Sequence, residues 1–133
     1  MTTKIFVNLP VKNLDRSKAF FATLGYSFNA QFTDETAASM VITDDIYAML
    51  LTEAKFKEFT KKPIADATKT TEVLVCLSMD SKAKVNEVVD AALKAGATEA
   101  REPMDYGFMF GRSCNDLDGH SWEIIWMDPK HVQ

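Results

Sequence analysis

The chain has 133 residues and a mass of 14.9 kDa, the size of one ordinary domain. Hydrophobic residues make up 47% and charged residues 26%, a balance that allows a buried core without disulfide bonds. The net charge of -4 argues against general nucleic-acid binding, which needs clustered positive charge. No apolar run approaches the roughly 20 residues that span a bilayer. We therefore expect neither a nucleic acid nor a membrane as a partner.

The N-terminus and the cysteines indicate a cytoplasmic protein. The first residues lead directly into a run of only about five apolar positions, which is too short for the core of a signal peptide. Cys76 and Cys114 do not have the spacing of a metal motif. Reduced thiols in the cytoplasm are the simplest interpretation of two such cysteines.

The first half of the chain, about residues 1–60, predicts a strand, a helix and three further strands. The first strand runs from Lys4 to Val11, and Pro10 places it at a sheet edge or at its own end. Asn13 or Asp15 caps the following helix, which ends at Gly25. Further strands are predicted at 26–32, 38–43 and 46–51, and Thr52 caps a short helix.

The second half, about residues 71–133, follows a polar connector at about 60–71 and repeats this order. A strand at 73–79 precedes a helix capped by Ser81. This helix has the clearest amphipathic pattern in the chain, with apolar residues at positions i, i+3, i+4, i+7 and i+8, which are Val85, Val88, Val89, Ala92 and Leu93. Strands are predicted near 98–102, 108–114 and 121–127, with a loop at 104–107.

The two halves are similar in pattern although few residues are identical. Each half is a βαβββ module, so the fold class predicted is α+β. Two such modules can form a cup-shaped mixed sheet with the helices outside, within a single domain spanning residues 1–133. Alternation along each strand then decides which side chains face the cup.

Two segments resemble the vicinal oxygen chelate superfamily, which includes glyoxalase I, extradiol dioxygenases, and fosfomycin- and bleomycin-resistance proteins. Residues 8–21 resemble the opening strand and helix of that family, and residues 116–124 resemble its final turn and strand, with Leu117 where Pro is usual. The stretch 106–113 and the ending 126–129 are similar to a branch labelled lactoylglutathione-lyase-related. The resemblance implies the glyoxalase/bleomycin-resistance/dioxygenase fold and covers essentially the whole chain.

The resemblance also implies four metal-ligand positions, because these enzymes use a divalent metal as a Lewis acid. The positions fall on Phe6, Leu50, Leu74 and Glu123. Three of the four are hydrocarbon, and one carboxylate cannot hold Zn, Ni, Mn or Fe tightly. A shift of one residue does not place a His at any of these positions. We therefore expect no metal and no other cofactor.

Glu123 is the principal candidate for a catalytic residue. It lies in an apolar strand beside Trp122 and Ile124, and a buried carboxylate is costly unless it is paired or used. One interpretation is a base or a ligand-binding acceptor. The other is a structural carboxylate paired with a nearby Arg or hydroxyl. For His120, which follows a Gly turn, an ordinary turn residue is preferred over a catalytic role.

The candidates for ligand contact are the residues that alternation or composition places at the cup. Asn8 shares strand parity with Phe6, and Cys76 shares it with Leu74, although a small buried hydrophobe is the simpler interpretation of Cys76. An aromatic stretch before a strand predicts a lid or rim over a pocket, and Arg112 follows it as a possible partner of Glu123 or of an anionic ligand. The complete predicted set is Phe6, Asn8, Leu50, Leu74, Cys76, Tyr106, Phe108 and Arg112.

Three functions follow from these candidates. The preferred hypothesis is a glyoxalase/bleomycin-resistance-like protein that binds an unknown small molecule in an apolar cup without the usual metal ligands. The alternative is a lyase or isomerase, related to lactoylglutathione lyase, in which Glu123 acts as the base with or without a divalent metal. An ordinary metal-dependent enzyme is the third. We also expect a homodimer, because members of this family commonly pair modules across chains.

Overall fold

The computed structural model describes residues 2–131 and divides into two compact units, one ending at Ala65 and one beginning at Asp66. This boundary lies within the predicted polar connector. Among the described residues, no helix is long and apolar enough to cross a membrane. Each unit contains one mixed β-sheet and one main helix, so the predicted α+β class and βαβββ order are confirmed.

The N-terminal unit contains a four-stranded sheet in the order β1-β4-β3-β2. Its elements are β1 (Ile5–Val11), α1 (Leu14–Thr23), β2 (Ser27–Phe28), a 3-10 helix (Ala30–Phe32), β3 (Ala37–Val41), β4 (Ile46–Thr52) and α2 (Glu53–Lys57). The side chains of Asn13 and Thr52 cap α1 and α2, as the sequence predicts. Strand β1 lies at the edge of the sheet and pairs parallel with β4, which leaves Pro10 at an edge.

The C-terminal unit repeats this order with one additional short strand. Its sheet has the order β5-β9-β8-β6, with β7 also paired to β8. The elements are β5 (Leu74–Ser78), α3 (Lys82–Lys94), β6 (Thr98–Glu99), β7 (Met104–Asp105), β8 (Met109–Asn115) and β9 (Ser121–Met127). As in the first unit, the first strand pairs parallel with the last, and the remaining pairs are antiparallel.

Helix α3 forms the core of the C-terminal unit against one face of the sheet. Val85, Val88 and Val89 are almost fully buried and cluster with Ile124. Leu77, Met79, Leu93, Phe110 and Trp126 pack around this cluster. Burying each Val side chain stabilises the fold by roughly 1.5–3 kcal/mol before entropy is counted. Helix α3 therefore covers one face of the sheet and does not cover the opposite face.

Three local predictions were wrong, and one of them is the strand predicted near 98–102, which is limited to β6 (Thr98–Glu99). The predicted strand 26–32 is shortened to Ser27–Phe28, because the side chain of Asn29 accepts a hydrogen bond from the Gln31 amide and turns the chain into the 3-10 helix. The predicted loop 104–107 contains β7, which pairs with Phe110 and Gly111 of β8. A two-residue strand is too short to produce a periodic signal in the sequence.

Candidate functional site

Glu123 lies on the face of the C-terminal sheet that α3 does not cover, and its carboxylate is paired with Arg101. The Nη2 atom of Arg101 donates to both carboxylate oxygens at 3.0 Å. Nη1 of the same guanidinium donates to the Glu102 carbonyl oxygen at 3.1 Å. The side chains of Arg101 and Glu123 are 31% and 17% exposed. The carboxylate is therefore partly desolvated and electrostatically compensated.

The strand register defines which residues share this face. Cys76 on β5, Glu123 on β9 and Ser113 on β8 form one row across three adjacent strands. Leu74, Ser121 and Asn115 form the row on one side, and Ser78, Ile125 and Gly111 form the row on the other. Because partners in register point to the same side, these rows constitute one surface, which we call the open face.

Ser113 is buried in the same row as Glu123. It lies opposite Glu123 on one side, and the Ala100 amide bonds to its carbonyl oxygen on the other. Arg101 must therefore extend its side chain across strand β8 to reach Glu123. Ser113 is 2% exposed, and its hydroxyl has no hydrogen-bond partner among the described residues. A buried hydroxyl without a partner is unusual and needs an explanation.

The Cys76 thiol is not activated by this environment. Partial burial raises the pKa of Cys76, and the negative charge of Glu123 raises that pKa further, while Arg101 lowers it. The thiolate is the nucleophilic form of cysteine, and a raised pKa reduces its population. Cys76 is exposed, so the expectation of a buried hydrophobe was wrong, and its predicted place beside Leu74 on this face agrees with the register.

An apolar patch adjoins the ion pair on the open face. It consists of Met104, Met109, Ile125 and Met127, which are brought together by the pairing of β7, β8 and β9. Gly111 lies in the middle, and a Cβ there would approach Ile125 Cγ2 at 3.2 Å, so Ile125 fills the space that the glycine leaves. Unbranched methionine side chains adapt to ligands of different shape.

The predicted aromatic stretch lies next to this patch. Tyr106 and Phe108 are 60% and 38% exposed, and their ring centroids are 6.3 Å apart. The Tyr106 hydroxyl donates to Met104 Sδ at 3.6 Å. On its other side, Phe108 stacks on His131 with a centroid distance of 4.1 Å. The stretch thus forms an exposed aromatic rim at one end of the C-terminal unit.

The predicted role of Arg112 beside Glu123 is wrong. Arg112 pairs in register with Ile124, which places it on the face covered by α3. There it donates to Asp90 at 2.8 Å, to Asn86 at 3.0 Å and to Glu99 at 3.3 Å. With 9% exposure, this guanidinium joins helix α3 to β6 and β8 from the side opposite Glu123. It is a structural clamp within the unit.

The N-terminal sheet separates two residues that were expected to share a face. Phe6 and Asn8 of β1 pair with Tyr47 and Met49 of β4, and Phe6 stacks on Tyr47 with a centroid distance of 4.9 Å. Leu50 instead pairs with Leu9, on the buried face of the sheet, and is fully buried. The placement of Leu50 beside Phe6 was therefore wrong, because alternation puts Met49 on the face of Phe6.

The donor atoms at the implied metal positions do not match those of a divalent metal site. Phe6 and Leu74 are hydrocarbon, Met49 supplies only a thioether, and the Glu123 carboxylate is held by Arg101. Among residues 2–131, no group of three or more His, Cys, Asp or Glu side chains could hold a metal ion. Tightly held Zn, Ni, Mn or Fe requires several imidazole, thiolate or carboxylate donors.

The turn before β9 is organised by the buried carboxylate of Asp116. This carboxylate accepts hydrogen bonds from Trp122 Nε1 at 2.9 Å and from the backbone amides of Asp118 and His120. Burial raises the pKa of Asp116, although the positive charge of His120 and these donors oppose the effect. The turn fixes the start of β9, so Asp116 and His120 act in positioning the strand that carries Glu123.

Arg101 is the residue that sequence reasoning missed. It follows β6 in a stretch without periodicity, and 22 positions separate it from Glu123. The only available signal is indirect, because a carboxylate in an apolar strand requires a compensating charge. Arg112 was considered as a partner of Glu123 because it follows the aromatic stretch 106–110, and a surface position was left open as the alternative.

Comparisons with known proteins support the family resemblance. Residues 3–43 match the family model described as bleomycin resistance protein-like N-terminal. A search of curated proteins finds no significant match. Among solved structures, hypothetical protein SA1046 from S. aureus superposes with a TM-score of 0.78 at 24% identity, covering 95% of each chain.

Two further structures carry informative names. A glyoxalase/bleomycin resistance protein/dioxygenase family enzyme from Burkholderia phytofirmans PsJN has a TM-score of 0.77 at 15% identity, over 95% of this chain and 99% of that one. The fosfomycin resistance protein FosX from Mesorhizobium loti has a TM-score of 0.70 at 12% identity, over 98% and 97%. The chain therefore has the glyoxalase/bleomycin-resistance fold, and its resemblance to the vicinal oxygen chelate superfamily is confirmed.

Proposed function

We propose that this protein binds a small molecule on the open face of the C-terminal sheet without using a metal. The apolar patch would contact the body of the ligand, and the pair of Arg101 and Glu123 would anchor its polar group. Structures of the same fold are named for bleomycin and fosfomycin resistance, and a small-molecule ligand for this chain agrees with those names.

The observation that carries the proposal is the ion pair itself. The resemblance implies that Glu123 would be the last metal ligand, yet both of its oxygens accept hydrogen bonds from Arg101. A divalent cation and a guanidinium compete for the same carboxylate. Since the other implied positions supply no strong donor, the guanidinium has the advantage.

The lyase or isomerase alternative ranks second for the same reason. A general base must present a free lone pair to the substrate proton at hydrogen-bonding distance. Arg101 contacts both oxygens of Glu123, so the carboxylate would first have to be released. The raised pKa of Cys76 also argues against this thiol as a substitute nucleophile.

A titration with the neutral aromatic probe 2-phenylethanol in the presence of EDTA tests the proposal. We expect saturable amide shift changes in NMR spectra at Ile125 and Met127, and at least fivefold weaker binding by Met127→Ser. Val73→Ser is the matched control, because Val73 is also an exposed apolar residue. Its exposure is 55%, compared with 37% for Met127. The two residues lie near opposite ends of the sheet, about 20 Å apart at the rise of a strand.

Two results would refute the proposal. Binding that requires an added divalent metal would show that the site is not metal-free. Equal weakening by Met127→Ser and Val73→Ser would show that the probe does not recognise the patch.

A further inference from the structure

The guanidinium of Arg101 has hydrogen-bond donors that Glu123 does not use. A single nitrogen, Nη2, donates to both carboxylate oxygens, and Nη1 donates to the Glu102 carbonyl oxygen. Nε has no acceptor among the described residues. The strongest arginine–carboxylate pairs use two nitrogens in two parallel bonds. One edge of this guanidinium is therefore available to a second anionic group.

Ser113 adds an unsatisfied polar group at the same place. Its hydroxyl is buried in the row of Glu123 and lies in the path that Arg101 crosses. A hydroxyl can donate one hydrogen bond and accept two. It can therefore bond to the Glu123 carboxylate or to a ligand oxygen when the guanidinium shifts.

Charge balance decides what kind of ligand fits. A ligand carrying only an anion would place a second negative charge beside the partly buried Glu123, and a ligand carrying only a cation would place a second positive charge beside Arg101. Like charges in one partly desolvated site repel each other. A ligand that brings both charges keeps the site neutral, because its carboxylate pairs with Arg101 and its ammonium pairs with Glu123.

We infer that Arg101, Glu123 and Ser113 form a subsite for the adjacent carboxylate and ammonium groups of an amino acid or a similar zwitterion, an inference that rests on the proposed ligand-binding face. The ligand carboxylate binds the free edge of Arg101, and its ammonium binds Glu123. Ser113 donates to whichever carboxylate oxygen lies nearest.

The position of the apolar patch extends this assignment to the rest of the ligand. Ile125 and Gly111 occupy the row next to Glu123 and Ser113. Adjacent rows on one face are two residues apart along a strand, or about 6.6 Å. A zwitterion held by the ion pair therefore places a side chain of moderate length over the patch, which favours apolar and aromatic amino acids.

Three matched probes test the inference. L-phenylalanine carries both charges, 3-phenylpropanoate carries only the carboxylate, and 2-phenylethylammonium carries only the ammonium. All three present the same ring to the patch. Affinities are measured by NMR titration at constant ionic strength in EDTA, through the amide signals of Arg101, Ser113 and Glu123. We expect L-phenylalanine to bind at least fivefold more tightly than either singly charged probe.

The double variant Arg101→Gln/Glu123→Gln supplies the decisive comparison. It removes both charges together, so it strands neither side chain and should remain folded. We expect it to bind the three probes within twofold of one another, while Ser113→Ala keeps a reduced preference for L-phenylalanine.

The outcomes separate this inference from the proposed function. Equal affinity of the wild type for the three probes, or a preference that survives in the double variant, would refute the zwitterion subsite and leave the apolar face intact. If none of the three probes binds, the apolar face is wrong and the subsite is refuted with it.

Discussion

Arg101 donates through one nitrogen to both carboxylate oxygens of Glu123, although the two residues come from opposite sides of strand β8. The family resemblance implies that this carboxylate would be a metal ligand, but here it pairs with the guanidinium of Arg101. Ser113, which lies opposite Glu123, is buried, and its hydroxyl has no hydrogen-bond partner among residues 2–131. The polar centre of the open face is thus compensated in charge but not fully satisfied in hydrogen bonding.

The contribution of this ion pair to stability can be measured with a double-mutant cycle. Arg101→Met should lower the free energy of unfolding by about 1–2 kcal/mol, because it leaves a partly buried carboxylate unpaired. Glu123→Leu combined with Arg101→Met should recover part of that loss. We expect a coupling energy of at least about 0.5 kcal/mol from urea unfolding. Strictly additive single effects would show that the two side chains do not interact in solution.

Arg112 should matter for folding and not for ligand binding. Arg112→Lys cannot reproduce its bonds to Asp90, Asn86 and Glu99, so we expect a loss of about 1–3 kcal/mol in the free energy of unfolding. Binding of 2-phenylethanol should be unchanged. Arg16→Lys, at an exposed position of α1, is the control and should cost less than about 0.5 kcal/mol. Weaker probe binding by a fully stable Arg112→Lys would contradict the assignment.

Both the backbone conformation at residue 119 and the atoms around it require a glycine at this position. Its φ is +88°, and a Cβ would lie 2.8 Å from backbone atoms of Ala67 and Thr68. Gly25 has a φ of +98°, and no atom of the described residues lies within 4 Å of a Cβ placed there, so Gly25→Ala measures the conformational strain alone. We expect Gly119→Ala to lower the melting temperature clearly more than Gly25→Ala. Equal losses would mean that the turn does not pack on residues 67 and 68.

The buried carboxyl of Asp116 should produce a specific pH dependence of stability. Burial raises its pKa above the ordinary 3.8, so the folded protein holds this proton to a higher pH than the unfolded chain does. The stabilisation that the Asp116 carboxyl group gives to the folded state is therefore complete below pH 3.8, and it decreases as the pH rises through the raised pKa. The stability advantage of the wild type over Asp116→Asn, measured by urea unfolding, should shrink over that range. An advantage that grows with pH would show that the pKa is lowered.

The homodimer stays a prediction. Phe6 and Leu74 on the first strands of the two sheets are 52% and 60% exposed, and exposed apolar surface favours association. Sedimentation should show a species near twice 14.9 kDa at micromolar concentration. A compact monomer at that concentration would contradict the prediction.

The sequence predicted the helices and strands better than it predicted the sheet face on which each side chain lies. Helix α3 was recognisable because its apolar residues follow the helical period, and the face of Glu123 followed from alternation along β9. Strand β4 is apolar at nearly every position, so periodicity could not decide between Met49 and Leu50. The predicted cytoplasmic location and single-domain organisation stay predictions.

The sequence analysis considered Arg112 as the partner of Glu123, whereas the structure pairs Glu123 with Arg101, and this error has a different cause. In β8 the small residues Gly111 and Ser113 alternate with Phe110 and Arg112, and the large residues face the helix. Which face carries the helix is a tertiary property that the strand does not encode. Arg101 comes from the segment after β6, and only the register of β6, β8 and β9 brings it to Glu123.

The central claim is that the protein binds a small molecule without a metal, and native mass spectrometry of freshly purified protein tests it most directly. The proposal predicts a chain mass with a co-purifying organic molecule that persists after EDTA treatment, and less than about 0.1 equivalent of divalent metal by elemental analysis. A stoichiometric divalent metal that EDTA removes, together with loss of the bound molecule, would contradict it.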